Sequence, residues 1–191
     1  GGASNAWGLS GNTGNTVANF IGTTDDQPIH LKINNVRCGF IDNVDGAFTG
    51  RCVFLGLRAG LNNNSSGYDN VYIGYKSGTS NTDGEFNTGL GSFTLQNAVN
   101  AYSNTALGSY AMQNAVNCIQ STAVGTGALT TTVSGNYNQA LGYHDMFATA
   151  NAGTSNNAMG YESLLNNTGN GNCAVGNWSL KQNTSGYSNC A

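Results

Sequence analysis

The chain has 191 residues and a formal net charge of −3, and only 8% of its residues are charged, against roughly 25% in an ordinary soluble domain. Glycine, asparagine, threonine and serine make up about half of the sequence. This composition excludes charge-rich disorder and a helical bundle with a solvated surface. Six basic residues are too few to neutralise several phosphates, so nucleic acid is not an expected partner. No apolar run approaches the ~18 residues of a membrane span, so we expect no membrane insertion by this segment.

The first 50 residues differ in pattern from the rest of the chain. Ile29, Leu31 and Ile33 alternate with polar residues, as in a half-buried strand, and Asn34-Asn35 is a two-residue turn signal before the run 36–41. This pattern predicts a β-hairpin. We interpret residues 1–50 as an N-terminal β-hairpin adaptor that caps the following repeats, because a repeat array needs a terminal cap.

Residues 51–191 repeat with a period near 17 residues. Each of eight copies carries a glycine preceded by an apolar residue, with spacings of 18, 17, 17, 17, 17, 18 and 16 residues. A ninth copy begins at Asn189 and stops before its glycine, so we expect a piece of a longer polypeptide, here without a recognisable signal peptide. The eight structural repeat glycines are Gly56, Gly74, Gly91, Gly108, Gly125, Gly142, Gly160 and Gly176.

Positions within a copy are numbered here from its glycine. Position −4 is Asn in six of the eight copies, position −2 is small in most, and position +4 is apolar in the last six. We predict one strand over positions −3 to −1 and a second over +1 to +4, with the glycine bending the chain so that the apolar residues at −1 and +4 both point inward. Turns rich in Asn, Gly and Ser close each coil. The predicted fold is all-β, a parallel β-solenoid of ~17-residue coils.

Such a coil supplies about three inward apolar side chains, which is a thin core for a structure that stands alone. An apolar residue every six positions, typical of a hexapeptide β-helix, is absent, because Gln96, Gln113 and Thr130 follow Leu90, Leu107 and Val124 at that distance. A single thin roll needs apolar contact from other chains, so we predict a parallel homotrimer.

The segment Asn-Thr-Ala-Leu-Gly-Ser-Tyr-Ala-Met at 104–112 and its copies resemble the head repeats of YadA-like trimeric autotransporter adhesins. They are still more similar to the NTAVGYxAL-type repeats of phage tail fibres. The block from Trp7 to Asn35 resembles an adaptor that precedes such repeats. The resemblance implies a left-handed parallel β-roll homotrimer that carries or forms an attachment surface. Adhesin head repeats are commonly shorter, which favours the tail-fibre side.

These features predict a non-enzymatic trimeric fibre segment, from a phage or phage-like tail fibre or from a surface adhesin, that mediates attachment to a host cell surface. Its expected partners are its own copies and a cell-surface glycan or protein receptor. We expect an extracellular location, on a virion tail fibre or a bacterial surface, and no cofactor or metal. The alternative is a purely structural fibre shaft whose receptor-binding tip lies elsewhere in the chain.

Aromatic residues recur one or two positions after the repeat glycines. A stripe of rings surrounded by Asn and Ser suits glycan binding through ring stacking and hydrogen bonds. The structural alternative, which we favour, is that the rings stack from coil to coil and seal the seam of the trimer. The candidate glycan contacts are Tyr75, Phe93, Tyr110, Tyr143, Tyr161 and Trp178.

Catalytic and water-ordering interpretations are weaker. His144-Asp145 is interpreted as a variable surface position rather than an acid–base pair, and the carboxylate pairs Asp25-Asp26 and Asp83/Glu85 lack the partners expected of a glycosidase. Thr88, Thr105 and Thr122 predict a threonine ladder of only three rungs, too short for ice binding.

Five cysteines without a C-x-x-C spacing argue against a zinc site. Cys173 and Cys190 occupy position −3 of consecutive copies. We predict that they stack on adjacent rungs as free thiols, because in-register side chains strain the disulfide torsion.

Overall fold

The computed structural model describes residues 21–24, 27–42, 50–64, 66–131, 134–146 and 153–191. The sequence block around Trp7 and the pair Asp25-Asp26 lie outside the described residues. The described chain is all-β and contains no helix. Its ten strands form one sheet in chain order, with β1 at Ile29–Ile33, β2 at Val36–Ile41, β3 at Val53–Leu55, β4 at Val71–Ile73, β5 at Thr88–Leu90, β6 at Thr105–Leu107, β7 at Thr122–Val124, β8 at Gln139–Tyr143, β9 at Asn157–Tyr161 and β10 at Cys173–Val175.

Strands β3 to β10 pair in parallel, each with the corresponding residues of the next copy. This is a parallel β-solenoid of about seven turns, and it confirms the ~17-residue coil. Strands β1 and β2 form the predicted antiparallel hairpin. Its turn residues Asn34 and Asn35 have φ of 48° and 59°, the left-handed conformation that a two-residue turn of this kind requires.

The hairpin extends the sheet at the first coil. Strand β2 pairs antiparallel with β3, and Phe40 stacks on Phe54 with 5.5 Å between ring centroids. From the same strand, Arg37 Nη2 donates a hydrogen bond of 2.9 Å to the carbonyl of Gly60. Aromatic stacking and this charge-assisted bond thus join the hairpin to the first coil of the solenoid.

The residue at position −2 of each solenoid strand points inward, and its neighbours at positions −3 and −1 point outward. Ala106 and Ala123 are fully buried, whereas Leu107 is 42% exposed. The predicted burial of the apolar residue at position −1 is therefore wrong for the single chain. The cause is the narrow interior. A β-carbon on Gly89 at position −2 would lie 2.8 Å from Ser77 Oγ, so small residues occupy position −2 in most coils. Because side chains alternate with period two, positions −3 and −1 then face outward.

The predicted second strand over positions +1 to +4 is not formed in the described coils, apart from residue +1 of β8 and β9. Instead the chain turns, with residues +2 and +4 in the left-handed conformation, as at Tyr110 (φ 63°) and Met112 (φ 51°). Their amides donate along the solenoid axis, Tyr110 to the carbonyl of Ser92 in the preceding coil and Met112 to that of Ala128 in the following coil, both at 2.9 Å. The turn is therefore hydrogen-bonded to both neighbouring coils, as the strand is. The residue at +4 is buried as predicted, although Leu180 is only partly buried.

The repeat glycines are required for two reasons, which Gly108 illustrates. Its φ is 122°, outside the regions open to residues with a β-carbon. A β-carbon there would lie 2.7 Å from both the carbonyl carbon and oxygen of Gly125 in the next coil. The glycine column is thus a line along which a β-carbon would meet the backbone of the next coil, in agreement with the predicted bend.

A ladder of buried side-chain amides runs through the interior at position −4. In the coil of Asn104, the Nδ2 donates to Asn87 Oδ1 in the preceding coil (3.1 Å) and to the carbonyl of Cys118 in the following turn (2.8 Å). Its Oδ1 accepts from the amide of Ser121 at 3.0 Å. The interior of the solenoid is therefore held by hydrogen bonds as well as by apolar contact. The ladder comprises Asn70, Asn87, Asn104, Ser121, Asn138, Asn156, Asn172 and Asn189.

Candidate functional site

The outward face of the parallel sheet carries a column of apolar side chains at position −1. None of the residues in strands β3 to β10 is charged. Within this column, Val124, Leu141, Met159 and Val175 line an open groove, which Ala140 and Ala158 also line. The most exposed members are Leu90 at 45%, Leu107 at 42%, Leu141 at 45%, Met159 at 48% and Val175 at 60%.

The aromatic residues singled out from the sequence lie beyond this column, where the chain leaves the sheet. They form two separate stacks. In the first, Phe93 lies parallel to Tyr110 with 4.9 Å between centroids and meets Tyr75 edge-on at 5.2 Å. In the second, Tyr143 and Tyr161 stack at 5.4 Å, and Trp178 meets Tyr161 edge-on at 5.8 Å.

One coil interrupts the aromatic column. Gly127 stands there at position +2, and a β-carbon on it would lie 2.7 Å from Nε2 of His144 in the next coil. The imidazole of His144 itself stacks on Tyr143 at 4.0 Å. The gap between the two stacks is therefore bordered by His144.

These rings contact each other from coil to coil, as the structural alternative to glycan binding predicts. In the parallel pairs Phe93–Tyr110 and Tyr143–Tyr161 the ring planes differ by 7° and 8°, so each ring gives one of its faces to its neighbour. A sugar ring stacks on an open aromatic face, and few such faces remain in these two pairs. Their contact with glycan or with a trimer partner stays a prediction.

Asp145 and His144 point to opposite sides of the chain. Asp145 is fully buried, and its carboxylate accepts hydrogen bonds from the amides of Gly160 (3.0 Å) and Ser163 (2.9 Å) in the next coil. Burial raises the pKa of Asp145 to about 6, against the lowering effect of these two bonds. The prediction that both residues of this pair lie on the surface is therefore wrong for Asp145, which links two coils as a backbone acceptor.

The carboxylates Asp83 and Glu85 both have partners. Asp83 Oδ1 accepts from Asn64 Nδ2 at 3.1 Å, and the hydrogen bond between Glu85 and the phenol of Tyr68 raises the pKa of Tyr68. Both carboxylates therefore stabilise the turn that contains them.

Sequence reasoning missed a second set of exposed rings, at positions −6 and −5, just before the strands. Phe86, Tyr137 and Tyr187 are 51%, 54% and 65% exposed. The rings alternate irregularly between two positions and are separated by coils without rings, so no periodic signal distinguishes them in the sequence. The set, called here the pre-strand edge, comprises Tyr68, Phe86, Tyr102, Tyr137 and Tyr187.

The cysteine and threonine columns lie where the repeat predicts. Cys173 and Cys190 pair in a parallel bridge, and both are free thiols. Thr88, Thr105 and Thr122 are in register. These pairings confirm the coil length in the coils that carry them.

In the described part of the chain, no three His, Cys, Asp or Glu side chains come together in a way that would hold a metal ion. The same residues include no helix of the length and hydropathy needed to cross a bilayer. No family model matches the sequence, and neither a curated protein nor a solved structure matches it.

Proposed function

We propose that this chain is a non-enzymatic segment of a fibre that mediates attachment to a cell surface, and that it assembles as a left-handed, parallel homotrimer. The resemblance of its repeats to those of tail fibres and trimeric adhesins motivates the proposal. The observation that carries it is the column of exposed apolar side chains at position −1 on the uncharged outer face of the sheet.

This face is unusual for a chain in water. Eight copies of an apolar residue follow one another at the rung spacing of ~4.8 Å, so the column is about 34 Å long. An exposed apolar patch of this extent marks an interaction surface in soluble proteins. Because each copy of the chain presents the same column with the same spacing, parallel association in register brings equivalent residues together.

A shaft without attachment function is the second candidate, and the two ring stacks favour it. Rings such as Phe93 and Tyr110 contact each other along the axis and add stiffness in that direction. In this case the trimer forms equally, but the segment binds no cell.

Sedimentation equilibrium tests the assembly. We expect a species of about three times the 19.7 kDa chain mass that persists on dilution. Leu107→Asp places a charge in the apolar column and should dissociate the trimer, whereas the control Asn117→Asp adds the same charge at an exposed turn residue and should leave it intact. A folded, monodisperse wild-type monomer would refute the trimer.

Retention of the labelled protein on intact bacterial cells tests the function. We expect binding that survives washing for the trimer and is lost in Leu107→Asp, because simultaneous contacts raise avidity. A stable trimer that binds no cell in a broad panel supports the shaft.

A further inference from the structure

We propose that the pre-strand edge, rather than the stacked rings after the glycine, is the carbohydrate-binding surface, and that it takes an extended polysaccharide lying along the solenoid axis. This inference rests on the proposed attachment function. It assigns the ligand class and moves the contact residues to the other side of the strands.

Three rings of this edge, Phe86, Tyr137 and Tyr187, are at least half exposed, whereas the Tyr68 ring is covered by the guanidinium of Arg51. Phe86 contacts Tyr68 at 5.5 Å with an interplanar angle of 82°, an edge-to-face contact. Tyr102, Tyr137 and Tyr187 make no ring-to-ring contact with other described residues. An open, half-exposed ring presents the flat apolar surface on which the C–H face of a pyranose packs.

The backbone that carries two of these rings is fixed by hydrogen bonds between coils. Phe86 and Tyr137 have φ of 57° and 59°, and their amides donate to the carbonyls of Tyr68 (3.2 Å) and Ile119 (3.0 Å) in the preceding coils. The same bond joins the next coil, from Ser155 to Asn136 at 3.0 Å. A rigid aromatic residue loses little conformational entropy when a ligand binds to it.

The spacing suits a polymer. Phe86 lies three coils before Tyr137, and Tyr187 lies three coils after it, so these rings follow one another at about 14 Å for a rung of ~4.8 Å. One rung is close to the length of one sugar unit in an extended chain, so a linear polysaccharide along the axis meets successive rings at regular intervals.

The polar surroundings fit sugar hydroxyls. Arg51 Nη2 lies 2.7 Å from Asp69 Oδ2, and its guanidinium lies over the Tyr68 ring at 5.6 Å. Because Glu85 bonds the phenol of Tyr68, this end of the edge carries two carboxylates and one cation. Around Tyr137 the exposed neighbours Gln120 and Ser155 are neutral hydrogen-bonding groups. This mixture lacks the cationic groups that an anionic polymer needs and the continuous apolar area that a protein partner needs.

Two triple variants test the assignment against a printed panel of uncharged bacterial polysaccharides, with anionic capsular polysaccharides beside them as the class that this surface should not bind. Phe86→Ala/Tyr137→Ala/Tyr187→Ala removes three open rings, and Tyr110→Ala/Tyr143→Ala/Trp178→Ala is the matched control from the stacks. We expect the first to bind the recognised polysaccharide at least tenfold more weakly than wild type and the second to bind within about threefold. Sedimentation and thermal melting verify that each variant is assembled, and the single variant Tyr137→Ser, expected to weaken binding several-fold, serves if the triple variant does not fold.

Unchanged binding by the edge variant, or a selective loss in the stack variant, overturns the assignment. Attachment of wild type to cells that is abolished by protease treatment of the cells, without binding to any polysaccharide, overturns the ligand class but leaves attachment standing. Failure of the trimer to bind either cells or polysaccharide overturns both the inference and the proposed function.

Discussion

The ring of Tyr72 fills the space that Gly78 leaves empty. A β-carbon on Gly78 would lie 2.5 Å from Tyr72 Cγ. One coil further along the relation is reversed, with Gly89 at the strand position and the buried Leu95 at the turn position. The core of each coil therefore holds one large side chain, from the strand in the first two coils and from the turn in the following ones, in keeping with close-packed interiors.

This complementarity predicts the effects of an exchange. Gly78→Leu should lower the free energy of unfolding by about 3 kcal/mol or more, because the new side chain meets the Tyr72 ring. Tyr72→Ala should lower it by about 3–5 kcal/mol through the cavity. The double variant recreates the pair found two coils beyond Leu95, Ala123 with Leu129, in which Leu129 adopts the same left-handed conformation (φ 52°), and should recover most of the loss. If urea denaturation shows that the two single losses in the free energy of unfolding add in the double variant, the predicted complementarity is contradicted.

Much of the architecture could be predicted from the sequence. Alternation at Ile29, Leu31 and Ile33 predicted the strand β1, although Leu31 and Ile33 are 44% and 72% exposed rather than half-buried, and the glycine spacing predicted the coil length. These signals are local or periodic, so no knowledge of distant packing is needed to find them.

The inward-facing residues could not be predicted as well. The bend was placed correctly at the glycine, but Met112 and Tyr110 adopt a left-handed conformation that non-glycine residues seldom show. The sequence has no signal for that conformation, so a second strand was expected. The recurrence of asparagine at position −4, as at Asn104, is visible in the sequence, but its burial is not, because asparagine is ordinarily a surface residue.

The glycine column predicts a difference between Gly108→Ala and Gly176→Ala. Both positions have φ above 120°, so both variants strain the backbone by about 1–3 kcal/mol. Only at Gly108 would the β-carbon also meet the next coil, since nothing lies within 4 Å of a β-carbon at Gly176 in this chain. We expect Gly108→Ala to melt at a clearly lower temperature. Equal melting temperatures in calorimetry would show that the contact between coils is not close there.

The amide ladder predicts a large effect of Asn104→Ala. The variant leaves the buried amide of Ser121 without its acceptor, which costs about 1–3 kcal/mol. It also removes one of two donors to the carbonyl of Cys118, which keeps the amide of Tyr102. The exposed turn residue Asn117 provides the control, and Asn117→Ala should change stability by less than about 0.5 kcal/mol. Urea titration followed by circular dichroism measures both. Similar midpoints for the two variants would mean that water replaces the ladder.

The cysteines should differ in reactivity in the native protein. Burial raises the pKa of Cys52 to about 11 and that of Cys118 to about 12, so their thiolates are scarce at neutral pH. Cys173 is partly exposed and Cys190 is exposed, so both should react with a maleimide before the buried thiols. Mass mapping after timed labelling identifies the sites. Full labelling of all five thiols in urea without reductant is expected, and a Cys173–Cys190 disulfide there would contradict the prediction of free thiols.

Asp145 should make the solenoid more stable in mild acid than at neutral pH. Its pKa is raised from 3.8 to about 6 on folding, so the folded state holds the proton more tightly than the unfolded state. The favourable contribution is complete below pH 4 and is lost as the pH rises through 6, by about 1–3 kcal/mol, since one pKa unit corresponds to about 1.4 kcal/mol. Asp145→Asn keeps an oxygen acceptor for Gly160 or Ser163 but does not titrate. The difference in urea midpoint between wild type and this variant, measured at pH 4.5 and pH 7.5, cancels the contribution of the other titrating groups. We expect the variant to gain stability relative to wild type as the pH rises, and a difference that stays constant would show that Asp145 is ionised at both pH values.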